Sequence, residues 1–204
     1  MKKIGLLVVL TLIVNTFFAQ KDELDFKGVE VGVPYPVVDA DTKYYIDYKD
    51  AIIGVKIDGK NITLQTYDTG KLTLDKIKAY EDFPKAFEIE DIMKIEDKIY
   101  LFYSSYNRKS TEEQLFYREI NTETCSFISE GVKLLSVKGK VTGTYYQKSA
   151  YAFGVKDKFA LSTSFDENKL LIKYRKHPKS RNDAVNKDVI GLHVYSGALQ
   201  KRMG

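Results

Sequence analysis

The segment DAIIGVKIDGKNITLQTYDTGKL, Asp50 to Leu72, holds two runs in which apolar and polar residues alternate. Ile53, Val55 and Ile57 are separated by Gly54 and Lys56, and Ile62 and Leu64 by Thr63. Successive side chains of a strand point to opposite faces, so a period of two marks a strand with one buried face. Asp58-Gly59 lies between the runs, and such a pair readily adopts the positive φ angles of a tight hairpin turn. The segment therefore predicts strands over 51–57 and 61–67 joined as a hairpin. Asp68-Thr69-Gly70 makes the next turn, and TLDKIKAY, Thr73 to Tyr80, predicts a third strand, with a short helix as the alternative.

Outward from this hairpin the same period continues. In AFEIEDIMKI, Ala86 to Ile95, the alternation slips by one residue, and a bulge between Glu90 and Ile92 accounts for the slip. DKIYLFYSSY reads as a strand, NRKSTEE as a connection, and QLFYREI, ending at Ile120, as the returning strand. GVKLLSVK, 131–138, predicts another, and the chain from Thr142 to Phe165 at least one more. Near the C-terminus, Leu170, Ile172 and Tyr174 share one face of a strand, and Ile190, Leu192 and Val194 one face of its successor.

Segments beginning at Asp50, Asp97 and Asn168 all run polar start, apolar strand, polar connection, second strand, turn. Irregular units of roughly 40–50 residues with about four strands each are the mark of propeller blades. Within the third unit, SFDENKLLIKYR places Ser164, Asp166 and Leu170 in the order S-x-D-x-x-x-L-[LIV]. That element resembles the blade motif of WD-like and related secreted bacterial β-propellers, over residues 43–204. The Trp-Asp pair and Gly-His of the strict WD repeat are absent. The resemblance implies a propeller-like fold used for binding or scaffolding, and no catalytic residue follows from it. The expected fold class is all-β, a propeller-like array of antiparallel blades, with an open β-sandwich as the alternative. Only about three units are visible where closure needs at least four, so the expectation is an incomplete, N-terminal part of a longer propeller.

The chain opens with Lys2 and Lys3, an apolar run from Ile4 to Val14, and Ala19. A basic start, a short apolar stretch and a small residue make a secretory signal peptide over 1–19, cut after Ala19, with a retained membrane anchor as the alternative. The expected organisation is this signal, an extended segment over 20–42, and the β domain over 43–204. The chain is accordingly expected to be periplasmic or extracellular, with no transmembrane segment after cleavage. Loss of Lys2 and Lys3 from a total of 32 basic and 28 acidic residues leaves the mature chain nearly neutral. Near-neutrality argues against a nucleic-acid partner. Cys125 is the only cysteine, so no intramolecular disulfide and no thiolate cluster can form. Its neighbours bring no activating base, and a buried inert thiol is expected.

The candidate chemistries are each weighed against a plainer role. Asp39 and Asp41 read as a polar turn before KYYIDY, because Asp clusters commonly begin loops. His177 and His193 lack the further ligands zinc requires, and no metal or other cofactor is expected. No Gly-x-Ser-x-Gly elbow is present for nucleophilic hydrolysis. Glycoside hydrolysis needs only two carboxylates a few ångström apart, and sequence does not report that separation. Tyr100, Tyr103, Tyr106 and Tyr117 can stack on sugars, although cross-strand pairing explains them without a ligand. Lys169, Lys173, Arg175, Lys176, Lys179 and Arg181 form a basic stretch. Lys173 and Arg175 alternate with Ile172 and Tyr174, so a solvated outer strand face is expected, the charges outward and the apolar groups inward. Weak anion contact through Lys176, Lys179 and Arg181, with acidic glycan or lipid headgroups, is the minority reading.

The leading functional expectation is an exported binding or interaction protein for an unknown protein or glycan at the cell envelope, more simply not an enzyme. The alternative is a polysaccharide-acting hydrolase using paired carboxylates of unknown position.

Overall fold

The computed structural model describes Gly28, residues 30–178 and residues 187–204. The expected signal peptide and its cleavage point lie outside the described residues, as do Lys179 and Arg181. Among the described residues there are sixteen strands and no helix.

The first sheet is a meander of β1 (Thr42–Tyr48), β2 (Ala51–Asp58), β3 (Asn61–Asp68) and β4 (Thr73–Tyr80), each antiparallel to the strand before it. The hairpin forms as expected, but its loop is Gly59-Lys60, one residue later than the Asp-Gly pair: Asp58 closes β2 opposite Asn61, and Gly59 takes the positive φ, at +55°. The second sheet contains β5 (Phe87–Ile95), β6 (Lys98–Asn107) and β7 (Glu112–Asn121), and β7 pairs in turn with β8 (Ser126–Phe127) and β9 (Val132–Lys138). The connection before β7 is shorter than NRKSTEE, because Glu112 and Glu113 belong to the strand.

The third sheet is interrupted. β10 (Val141–Thr142) leads into a separate hairpin, β11 (Thr144–Ser149) and β12 (Ala152–Lys156), before β13 (Ala160–Thr163), β14 (Lys169–Lys176), β15 (Ile190–Ser196) and β16 (Lys201–Met203) complete the sheet. β13 pairs with the first half of β14, at Leu170 to Lys173, and β10 pairs with its end, at Arg175 and Lys176. The innermost strand of this blade is thus split, and the β11–β12 hairpin leaves from the split.

Two cores lie in series. Ile53, Val55, Ile57, Ile62 and Leu64 of the first sheet pack with Ile99, Leu101 and Tyr103 of β6. Tyr100 and Phe102, on the opposite face of β6, pack with Leu170, Ile172 and Tyr195 of the third sheet. A β6 strand buried on both faces explains why IYLFY is a continuous apolar run, whereas the half-buried strands alternate. A two-sheet sandwich has a single interior, so two successive interiors make this an all-β, propeller-like array of antiparallel blades. Arg118 ties the first two blades together: its guanidinium lies 4.0 Å from the Phe83 ring centroid and donates to Asp82 at 2.8 and 3.0 Å.

Register on β5 places the bulge one residue earlier than expected. Ile89 pairs with Tyr103 and Asp91 with Phe102, which leaves Glu90 unpaired. Phe87, Ile89 and Ile92 face the first core despite their uneven spacing, while Met93 and Ile95 face the second. On β15 the face shared by Ile190, Leu192 and Val194 is the outer one. Ile190, Leu192 and Val194 lie opposite Arg175, Lys173 and Leu171, so they share the outer face with the charges, and Ile190 and Leu192 are exposed. The buried face of β15 instead carries Tyr195, with His193 stacked on Tyr174 at 5.7 Å between centroids.

Candidate functional site

The face of β5 and β6 that carries Tyr100 and Phe102 becomes polar toward the start of β5. Glu88 pairs with Ser104, and Glu113 of β7 pairs with Tyr106. From the loop before β13, Lys158 reaches into this end of the blade interface. Its Nζ donates to Glu113 Oε1 at 2.8 Å and to Ser104 Oγ at 3.1 Å, and Lys158 and Glu113 are both buried. The bulge residue Glu90 turns toward the same loop, where its Oε2 accepts the backbone N–H groups of Lys158 at 2.8 Å and Phe159 at 3.1 Å. Burial pushes the Glu90 carboxyl above its ordinary range, against the hydrogen bonds and the Lys158 charge. Glu90 Oε1 is buried without a hydrogen-bond partner. Glu90 and Glu113 therefore tie the second blade to the loop that leads into the third.

Glu88 stands at the edge of this cluster and lines two cavities. The larger, of about 920 Å³, is bounded by Glu88 and Glu113 of the second blade, Arg108 and Lys140 of two loops, and Tyr145 and Phe153 of the β11–β12 hairpin, with Arg175 and His177 beyond. The smaller, of about 550 Å³, is bounded by Asp41 and Tyr44 at the start of the first blade, Glu88, and Tyr146, Gln147 and Lys156 of the same hairpin. Tyr146 donates its hydroxyl hydrogen to Glu88 Oε2 at 2.5 Å. This bond fixes the carboxylate between the two spaces. Tyr44 stays a neutral donor there, because burial and the neighbouring charges of Asp91, Asp157 and Glu90 push its phenol above the ordinary value. Both cavities are within the range of small-molecule and oligomer sites, and both converge on Glu88.

Of the four tyrosines considered for sugar stacking, only Tyr106 lines a cavity, and Tyr100 and Tyr103 are core residues. Lys176 lines neither cavity; its N–H donates to the Val189 carbonyl at 2.9 Å. Its neighbours Arg175 and His177 do reach the larger one. Arg175 is held by Asp188 at 2.7 Å. In place of the expected turn, residues 30–40 have no regular structure and only Asp41 stands at a bend; the Asp39 carboxylate accepts the Ala40 N–H at 3.0 Å, and Asp41 lines the smaller cavity. Cys125 is buried, as expected, and burial raises its thiol pKa. Ser164 and Asp166, the motif residues, close the β13–β14 turn: their side chains are 2.6 Å apart, and Ser164 Oγ accepts the Lys169 N–H at 3.0 Å. Among the described residues, no group of three or more His, Cys, Asp or Glu side chains is arranged to hold a metal ion.

No protein-family model matches the sequence, and no curated protein matches it. Two solved structures share its course. One is an endo-arabinase from Bacteroides thetaiotaomicron, at 13% identity and a TM-score of 0.44 over 79% of this chain and 60% of that one. The other is a thermostable family-43 glycoside hydrolase, at 13% identity and a TM-score of 0.41 over 79% of this chain and 53% of that one. The chain thus spans little more than half the length of either. The leading expectation, a binding or interaction module, is corrected on this point: the two matched structures are described as an endo-arabinase and a glycoside hydrolase. Its alternative, paired carboxylates, agrees with what lines the cavities. Glu88 and Tyr146 escaped sequence reasoning, and Asp41 reads there only as part of a polar turn, because the three come from distant segments and form no local motif.

Proposed function

We propose that the chain is an exported hydrolase of polysaccharide, with Glu88 and Asp41 as its carboxylate pair. Export rests on the basic and apolar order of residues 1–19, and the paired carboxylates rest on the cavities. The observation that carries the reading is the position of Glu88, common to two cavities, the smaller of which Asp41 also lines. A glycan chain laid through both spaces puts one sugar on either side of Glu88, with the bond between them beside a carboxyl group. Hydrolysis at that bond requires one carboxyl to protonate the leaving oxygen and another to activate the water, or to attack the anomeric carbon before water does. Water supplies hydroxyl to the anomeric carbon and hydrogen to the departing sugar. Glu113 is excluded from the pair by its buried contact with Lys158, which holds its carboxylate in place.

The test is cleavage of a panel of plant and bacterial polysaccharides, arabinan included, followed by reducing-end release. Glu88→Gln and Asp41→Asn are each expected to lower cleavage by about 10²- to 10⁴-fold, the range for loss of a general acid or base. A correctly folded protein that cleaves nothing in the panel, or whose cleavage survives both substitutions, overturns the reading.

A further inference from the structure

Residues of the β11–β12 hairpin line both cavities, and its cross-strand pair Gln147 and Phe153 divides between them. Tyr145 pairs with Val155, and all three of Tyr145, Val155 and Phe153 line the larger cavity. Thr144 pairs with Lys156 and Tyr146 with Gly154; Lys156 and Tyr146 line the smaller one. Tyr145 is 68% exposed and Phe153 72% exposed, which is unusual for large rings unless they present a surface. The walls of the larger cavity carry four cationic side chains, and two of them are already neutralised, Lys158 by Glu113 at 2.8 Å and Arg175 by Asp188 at 2.7 Å. Arg108 and Lys140 have no ion-pair partner among the described residues. Lys140 instead lies 5.9 Å from the centroid of the Tyr106 ring. The larger cavity therefore carries two cations without an ion-pair partner and two exposed aromatic rings, with Glu88 also on its wall and Glu113 already taken by Lys158.

We infer that the larger cavity binds an acidic sugar unit, so that the substrate class is a uronate-bearing polysaccharide. The carboxylate of the sugar lies between Arg108 and Lys140, and its ring lies against Tyr145 and Phe153. Guanidinium fits carboxylate geometry in two parallel hydrogen bonds, and the flat apolar face of a pyranose ring suits an aromatic surface. The smaller cavity sets two carboxylates, Asp41 and Glu88, against one cation, Lys156, so the acidic unit is favoured in the larger one. This inference rests on the hydrolase reading for the position of the bond, and on its own residues for the charge of the sugar.

The test uses polygalacturonate, alginate and fully methyl-esterified pectin, whose carboxylates are capped, with Glu88→Gln protein so that binding is read without cleavage. Retention in affinity electrophoresis is expected to be at least tenfold stronger on the acidic polymers than on the ester. Arg108→Gln with Lys140→Gln is expected to abolish the difference, and Tyr145→Ala with Phe153→Ala to weaken retention on acidic polymers further than charge accounts for. Lys49→Gln with Lys71→Gln, which removes the same charge from the first blade, is expected to leave the difference unchanged. Equal retention on acidic and esterified polymers overturns the inference, and so does a loss matched by the Lys49 and Lys71 substitutions. Wild-type cleavage of a neutral glycan that depends on Glu88, with no preference for acid, overturns this inference while leaving the hydrolase reading intact. Retention that depends on Arg108 and Lys140 with no cleavage of any polymer does the reverse.

Discussion

Glu90 is the extra residue of the β5 bulge, and its position sets a pH dependence. Its carboxyl is raised above the ordinary value of 4.5, with burial as the largest cause. A carboxyl raised in the fold binds its proton more tightly folded than unfolded, so it favours the folded state at low pH. That contribution falls away as pH rises from 4.5 through the higher folded value, and above it the buried charge persists at a cost. Glu90→Gln removes the titrating proton while keeping an oxygen for the N–H groups of Lys158 and Phe159. The expected outcome is that wild-type protein loses stability relative to Glu90→Gln as pH is raised from 4 into the neutral range, measured by urea unfolding at each pH. Parallel pH profiles for the two proteins count against this account. Beside it, Glu113 and Lys158 form a buried ion pair at 2.8 Å.

At the level of elements, the hairpins are where sequence spoke most directly. β2, β3 and β4 fall within a residue of expectation, since Asp58-Gly59 fixes a turn and the alternation on either side fixes the register. A Cβ added at Gly59 meets no atom within 4 Å, so a substitution there is a matter of backbone alone. Gly59→Ala is expected to destabilise by about 1–2 kcal/mol, the cost of a left-handed conformation for a residue with a side chain. Denaturant midpoints with unchanged slope measure it, and a neutral result removes the turn from the argument. β15 shows where the period alone fell short. Alternation separates two faces but does not say which is buried, and on β15 the large aliphatic residues are the ones left outside. The candidate site was illegible for a related reason: Asp41 precedes β1, Glu88 opens β5 and Tyr146 belongs to β11, and only the stacking of blades joins them. Charge spacing did not point to the cavity either: among the described residues of the basic stretch Arg175 alone lines it, whereas Arg108, in the NRKSTEE connection, and Lys140 line it from elsewhere in the chain.

For the molecule as a whole, the second blade is the common partner of both cores. Leu101 and Phe102 are adjacent in sequence and fully buried, yet the first belongs to one core and the second to the other. Leu101→Ala and Phe102→Ala are expected to cost about 2–5 and 3–5 kcal/mol, the usual range for such truncations in a packed interior. Both are expected to shift one shared transition, since unfolding either interface strips a face of the same strand. Two separated transitions in calorimetry, each moved by only one substitution, would show instead that the blades unfold independently.

The split in the third blade separates two properties that a single strand normally has to satisfy together. β14 keeps a hydrogen-bonded neighbour on both sides of the interruption, β13 before it and β10 after it. The β11–β12 hairpin bonds to neither and closes on itself. Insertions, deletions and exchanges of residues in this hairpin therefore leave the ladder of the blade untouched while redrawing the walls on both sides of Glu88. Ligand preference can drift across descendants of this scaffold through one short segment, at little risk to folding, and grafting that segment alone is the economical route to changing what the cavities accept.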